Sequence, residues 1–243
     1  DGAHTYADNG TYRVYVRVRD DDDPVWVESF FDVFVTNVAP TLTVAGNQTV
    51  AEGTELVLPN IGTFTDPGFD NPLNAGEKQE TFSYTIDWGD GTADSTGSAT
   101  IDQMGSAGVL TSGSFDGSHV YADNGTYTVT VTVTDDDTGS DTETFTVTVN
   151  NVAPTITGVT NSGPVGEGSS VSVTITATDP AGANDPLTYE WDFDSDGTVD
   201  SHLQDPAFIY TSPGVYTVKL TVSGAGGSDN EIKAGHITVT EGP

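Results

Sequence analysis

Ala122-Asp123-Asn124-Gly125-Thr126-Tyr127-Thr128-Val129-Thr130-Val131-Thr132-Val133 decides the fold. A turn feeds a strand of strict period-two alternation, the pattern of a sheet with one face buried and the other in water. Tyr127, Val129, Val131 and Val133 take the inward phase, and the threonines take the outward one. The stretch occurs twice more. Ala7-Asp8-Asn9-Gly10-Thr11-Tyr12-Arg13-Val14-Tyr15-Val16-Arg17-Val18 precedes it, and Ser212-Pro213-Gly214-Val215-Tyr216-Thr217-Val218-Lys219-Leu220-Thr221-Val222 follows in looser form. One turn-and-strand unit returning along a chain marks a tandem array.

Working outward, the phrase Asn37-Val38-Ala39-Pro40 returns as Asn151-Val152-Ala153-Pro154 and sets the boundaries. Residues 1–39 read as the last strands of a first, truncated domain, residues 40–153 as a complete one and residues 154–243 as another. Asp1 is followed by mid-domain sequence, so the expectation is a fragment of a longer chain. In the first piece an acidic loop, Asp20-Asp21-Asp22-Asp23-Pro24, separates a strand over 12–19 from one carrying Phe31, Val33 and Val35. In the second domain Leu56 and Leu58 mark a strand, the loop Asp66-Pro67-Gly68-Phe69-Asp70-Asn71-Pro72 follows, and Phe82, Tyr84, Ile86 and Trp88 alternate inward. Small residues over 93–117 read as an inserted hairpin. The third domain repeats the plan: Val171, Val173, Ile175 and Ala177, then the loop Asp179-Pro180-Ala181-Gly182-Ala183-Asn184-Asp185-Pro186, then Leu187, Tyr189, Trp191 and Phe193.

Composition narrows the function. The 243 residues include no cysteine, so no disulfide staples the fold and no thiolate serves as nucleophile or ligand. Abundant Gly, Thr and Val without a helix-period stretch give an all-β class. Against 37 acidic residues stand 6 basic ones, a formal charge of -31. Nucleic acid needs clustered Lys and Arg and is excluded as a partner. Anionic membrane surfaces are disfavoured for the same reason, and no apolar run approaches the ~20 residues of a spanning helix, so this segment is not expected to insert into a membrane. Carboxylate-rich chains of this kind take up divalent cations.

The motifs carry two resemblances. A Tyr just after an Asp-x-Gly turn, at the start of an alternating strand, resembles the tyrosine corner of immunoglobulin-like sandwiches, with Val14, Val129 and Val218 where antibody domains place a cysteine. Trp88-Gly89-Asp90-Gly91, then His119-Val120-Tyr121, then Gly125-Thr126-Tyr127-Thr128-Val129 resembles the PKD (polycystic kidney disease) repeat; Trp191-Asp192-Phe193-Asp194, Tyr210 and Gly214-Val215-Tyr216 give the looser third copy. Gly224-Ala225-Gly226-Gly227 departs from the Asp run of the other copies. The resemblance implies tandem immunoglobulin-like β-sandwiches and a non-catalytic, extracellular or cell-surface repeat region. Its role would be a spacer or adhesion rod, its partners neighbouring repeats and an extracellular protein or polysaccharide ligand. The alternative it implies is an accessory substrate-binding module of a secreted protease or glycoside hydrolase.

Candidate chemistry is acidic. Trp88 and Trp191 have two readings, carbohydrate platform or core packing, and their inward phase favours the core. His4 and His119 hold equivalent positions before the turn, and neither has a Ser or Cys partner in a triad arrangement. Asp192-Phe193-Asp194-Ser195-Asp196-Gly197-Thr198-Val199-Asp200 reproduces the opening of a D-x-D-x-D-G calcium loop. Its ligands would be Asp192, Asp194, Asp196, Thr198 through its carbonyl, and Asp200; Leu203 stands where the bidentate Glu belongs. A hairpin turn needing Asp and Gly for its backbone angles explains the same residues.

In an immunoglobulin-like array a second set gathers where domains two and three meet: Glu52, Asp123, Asn151, Asp179 and Asp185. At the preceding junction Asp8 and Asn37 would meet Asp66, Asp70 and residues 135–137. These sets resemble the calcium-holding linkers of cadherins, with Gly68 and Ala181 replacing one acidic ligand. Outward-facing Arg13, Tyr15, Arg17 and Arg19 beside Phe30, Asp32 and Phe34 have two readings, a contact surface or a face that the rest of the truncated domain or a neighbouring module covers.

Overall fold

The computed structural model describes residues 2–22, 24–71 and 79–242; Asp23 and Pro72, named above in two loops, lie outside them. No helix occurs among the described residues. The strands are β1 (Gly10–Val18), β2 (Val27–Val35), β3 (Thr41–Val44), β4 (Gln48–Ala51), β5 (Glu55–Asp66) and β6 (Phe82–Asp87). Residues 93–117 supply β7 (Ser95–Ser98), β8 (Thr100–Gln103) and most of β9 (Thr111–Val120). There follow β10 (Gly125–Asp135), β11 (Ser140–Asn150), β12 (Thr155–Asn161), β13 (Val165–Gly166), β14 (Ser170–Thr178), β15 (Thr188–Asp192), β16 (Ala207–Ile209), β17 (Gly214–Gly224) and β18 (Gly227–Thr240). The fold is all-β, a tandem of immunoglobulin-like sandwiches.

Two compact units divide the chain. The first comprises Asp1–Gln48, Leu56–His119 and Tyr127–Val147; the second comprises Thr49–Glu55, Val120–Thr126 and Thr148–Pro243. Sheets run in the orders β1-β2, β3-β5-β9-β8 and β4-β11-β10-β6-β7, then β12-β14-β16 and β13-β18-β17-β15.

In the first unit the alternation places Leu56, Leu58, Phe64 and Phe115 on one inner face and Phe82, Ile86, Val129, Val131, Val133 and Val147 on the other, all buried. Ring contacts join the faces: Phe64 lies 4.4 Å from Phe82, and Phe115 stacks on Tyr84 at 4.4 Å. Each such apolar side chain stabilises by about 1.5–3 kcal/mol on full burial. Trp88 is among them, and its indole N–H donates to Ser95 Oγ at 3.0 Å. The second unit builds its core from Val171, Val173 and Ile175 of β14, Trp191 of β15, Val218, Leu220 and Val222 of β17, and Ile237 and Val239 of β18. Trp88 and Trp191 are therefore core side chains.

The tyrosine corner is present where the turn sequence calls for it. Tyr12 Oη donates to Asp8 O at 2.8 Å, and Tyr216 Oη to Ser212 O at 2.9 Å. On the two-stranded sheet Arg13 faces Asp32, Tyr15 faces Phe30 and Arg17 faces Glu28. Arg13 bonds Asp32 at 2.8 Å and lies over the Phe30 ring at 4.1 Å; Arg17 pairs with Glu28, and Arg19 lies over Trp26. Phe30 and Phe34 are exposed on this face, as the outward phase requires.

Candidate metal centre

Asp179 follows β14 in the same phase as Val171, Val173 and Ile175, so the alternation that buries those side chains also turns its carboxylate inward. Asp185 precedes Leu187 in the phase of Tyr189 and Trp191, and it is buried. Glu52 heads the turn between β4 and β5. Its N–H donates to Asn150 O at 3.0 Å and that of Gly53 to Tyr121 O at 2.9 Å. Those bonds fix the turn, and Glu52 is 1% exposed.

Glu52, Asp179 and Asp185 each bring a carboxylate oxygen within 4.8 Å of the other two. Two of the six carboxylate oxygens are served by backbone: Glu52 Oε1 accepts from Val152 N–H at 2.7 Å, and Asp179 Oδ1 from Ala181 N–H at 2.9 Å. Glu52 Oε2, Asp179 Oδ2, Asp185 Oδ2 and Asn151 Oδ1 are buried without a hydrogen-bond partner. Asn151 commits its amide to Val152 O at 3.0 Å, which leaves its carbonyl oxygen as an acceptor only. Each orphaned group forfeits its hydration for nothing, a cost of about 1–3 kcal/mol and more when charged. Burial, then the charges of Asp123 and Asp179, push the Asp185 carboxyl above its ordinary value. Asp123 acts on the cluster through that charge, while its Oδ1 accepts from Asn124 N–H at 2.8 Å. Of the five residues read from the sequence as one set, three form the cluster, Asn151 contributes an orphaned oxygen, and Asp123 supplies field.

The donor set is all oxygen and anionic, with no imidazole or thiolate in the trio. Such a set suits a hard divalent cation, and calcium best, since it takes 6–8 oxygens at about 2.3–2.6 Å in flexible geometry.

The Asp192 loop is arranged otherwise. Asp192, Asp194 and Asp200 bring oxygens within 4.8 Å, and Asp192 Oδ1 is buried without a partner. Most of the remaining acceptors are committed to the turn itself. Asp192 Oδ2 accepts from Gly197 N–H at 3.1 Å, Asp194 Oδ1 from Asp196 N–H at 3.2 Å, and Asp200 Oδ2 from Phe193 N–H at 2.7 Å. Asp196 stands apart and caps Thr198 N–H at 2.7 Å. Lys219 lies opposite Asp192 in the β15–β17 register, a cation that the reading of the loop alone had missed. Only the register of the neighbouring strand reveals it.

His119 is a packing residue. Its ring stacks on Trp88 at 4.9 Å, and Nε2 lies 2.7 Å from Asp90 Oδ2.

Residues 151–239 match the family model described as PKD domain. Comparison with curated proteins returns no match. Solved structures with a similar course include titin domains Z1Z2 in complex with telethonin, 17% identical over 86% of this chain and 100% of that one, TM-score 0.37. An amphioxus IgVJ-C2 molecule is 15% identical over 76% of this chain and 98% of its own, TM-score 0.39. Protocadherin gamma B2 extracellular cadherin domains 1–5 are 13% identical over 96% of this chain and 46% of that one, TM-score 0.37.

Proposed function

From a chain whose residues 151–239 match the PKD domain family, we propose a non-catalytic repeat region of a secreted or cell-surface protein, serving as a spacer or adhesion segment that calcium stiffens. The carrying observation is the set of buried, partnerless oxygens on Glu52, Asp179 and Asp185, whose carboxylates converge within 4.8 Å. An ion there cancels the mutual repulsion of three carboxylates and satisfies their orphaned oxygens together. It also ties the turn after β4 to the segments flanking the β14–β15 loop, which are remote in sequence. The Asp192 loop is the weaker ligand of the two, because Lys219 already opposes Asp192 and backbone N–H groups fill most of its oxygens. Extracellular modules bind calcium with dissociation constants of about 10⁻⁴–10⁻³ M, a range filled outside cells.

The test is the melting of the whole chain in calcium, magnesium or chelator. Calcium at ten times its dissociation constant adds about 1.4 kcal/mol. Magnesium does less, because it demands near-octahedral geometry and releases water reluctantly. Glu52→Gln with Asp185→Asn removes the gain, whereas Asp194→Asn with Asp196→Asn keeps most of it. Identical melting in calcium and chelator overturns the reading.

A further inference from the structure

The turns that open β1 and β10 share one triplet, Asp8-Asn9-Gly10 and Asp123-Asn124-Gly125. In each, the aspartate carboxylate accepts the N–H of the asparagine. Asp8 Oδ1 takes that of Asn9 at 2.6 Å, and Asp123 Oδ1 that of Asn124 at 2.8 Å. The glycine that follows carries no Cβ, so its nitrogen is open to a neighbour that any other residue would screen.

The chain uses most of its asparagines differently. Asn37, Asn47, Asn151, Asn161 and Asn230 each commit a side-chain atom to a hydrogen bond, which pins the carboxamide. Among the described residues, the carboxamides of Asn9 and Asn124 have no hydrogen-bond partner. These two are also the asparagines that glycine follows.

The two turns differ in how firmly the asparagine is held. Asn9 is half-buried, and its carbonyl oxygen accepts from Tyr12 Oη at 3.2 Å. Asn124 is exposed. Its carboxamide is therefore unbonded, in water, and next to an unscreened nitrogen. The third copy of the turn reads Ser212-Pro213-Gly214 and has no carboxamide at that position.

We propose that Asn124 is a site of spontaneous modification, in which the nitrogen of Gly125 closes a ring on the Asn124 side chain. Hydroxide takes the Gly125 amide proton, and the nitrogen bonds to Asn124 Cγ. The Cγ–Nδ2 bond breaks, and ammonia leaves with a proton from water. The resulting succinimide takes up one water. Opening at the side-chain carbonyl gives aspartate; opening at the main-chain carbonyl gives isoaspartate, whose main chain runs through the former side chain. Nothing is oxidised or reduced, and water is the sole co-reactant. Either product adds a negative charge beside Asp123, whose own charge already bears on Asp185. Isoaspartate also inserts a carbon into the main chain where β10 begins.

Ageing the whole folded chain in mildly alkaline and mildly acidic buffer tests this. Mass analysis of the digested chain reads both products, and labelling by an isoaspartyl methyltransferase picks out isoaspartate. Conversion is expected at Asn124 ahead of Asn9, and faster in alkali because the attacking nitrogen must lose its proton. Asn124→Gln should abolish conversion at that position, since the longer side chain has to close a larger ring. That variant keeps the fold, because the side chain it replaces bonds nothing. Conversion confined to the urea-unfolded chain, or as fast at Asn9 as at Asn124, overturns the proposal.

Discussion

Asp90 joins three features of its motif through one carboxylate. Oδ1 accepts from Thr92 N–H at 3.0 Å and from Thr92 Oγ1 at 2.6 Å, while Oδ2 meets His119, whose ring covers Trp88. Burial alone would raise the carboxyl's pKa, but the bonds from Thr92 and His119 outweigh it and hold the group below its ordinary value. A depressed carboxylate stabilises the fold above its unfolded pKa of about 4 and loses that contribution as pH falls through the folded value. Asp90→Ala is expected to cost about 2 kcal/mol at neutral pH, within the range for hydrogen bonds to charged groups. Denaturant titration at pH 7 and near pH 3 checks it: the penalty should shrink in acid, and an equal penalty at both would assign it to packing alone.

The hairpin between β17 and β18 shows why one repeat gave up its acidic turn. A Cβ at 226 would overlap the Asn151 side chain, and one at 227 would meet Ala153 Cβ at 2.9 Å. The tip must be bare for the chain phrase Asn151-Val152-Ala153 to lie against it. Gly226→Ala is therefore expected to destabilise by about 1–3 kcal/mol, the range for overpacking. Gly224→Ala, whose nearest contacts are 3.3–3.6 Å, should cost clearly less; thermal melts of the two variants compare them. Much of this scale was legible from residue types. Alternation alone separated Val129, Val131 and Val133 from the threonines between them and put Trp88 and Trp191 inside, because a pleated strand converts sequence parity directly into side-chain direction. Loops lack that conversion. Asp70 was read as a member of the acidic set, yet its Oδ1 caps Glu80 N–H at 2.7 Å. Glu80 itself was passed over, though its parity with Phe82 pointed inward. Parity could name the inward-turned acids Asp66, Asp135 and Asp179, but which of their oxygens lack donors depends on turns that residue spacing does not specify.

Across the whole molecule, 37 acidic residues face 6 basic ones, and three of those six, Arg13, Arg17 and Arg19, lie on or beside β1. The rest of the chain is left with little internal countercharge. Asp8, Asp66, Glu80 and Asp185 all have raised pKa values, with burial the first cause and like charge behind it. A carboxyl raised in the fold favours the protonated state, so its stabilising contribution is complete below the unfolded value near 4 and lost as pH climbs through the folded one. For Asp66 and Glu80 that loss runs to about 6 and about 8. Calorimetry in chelator should therefore show the melting temperature falling between roughly pH 4 and pH 8. Sodium chloride should restore little of it, since screening acts weakly on buried charge. A chelated protein whose melting is independent of pH would contradict this. The arginines of β1 carry a further meaning, as an address. Repeat proteins risk exchanging like strands between neighbours as they fold. Where β1 sets Arg13, Tyr15 and Arg17, β10 sets Thr128, Thr130 and Thr132. An intruding β10 would leave Asp32 and Glu28 facing hydroxyls, with no guanidinium to answer either carboxylate. Sliding the true partner by two positions puts Arg13 opposite Phe30 or Phe34 and likewise breaks the ladder. Charge written along a single strand thus distinguishes self from near-copy, and the right alignment from its neighbours, before any core has closed.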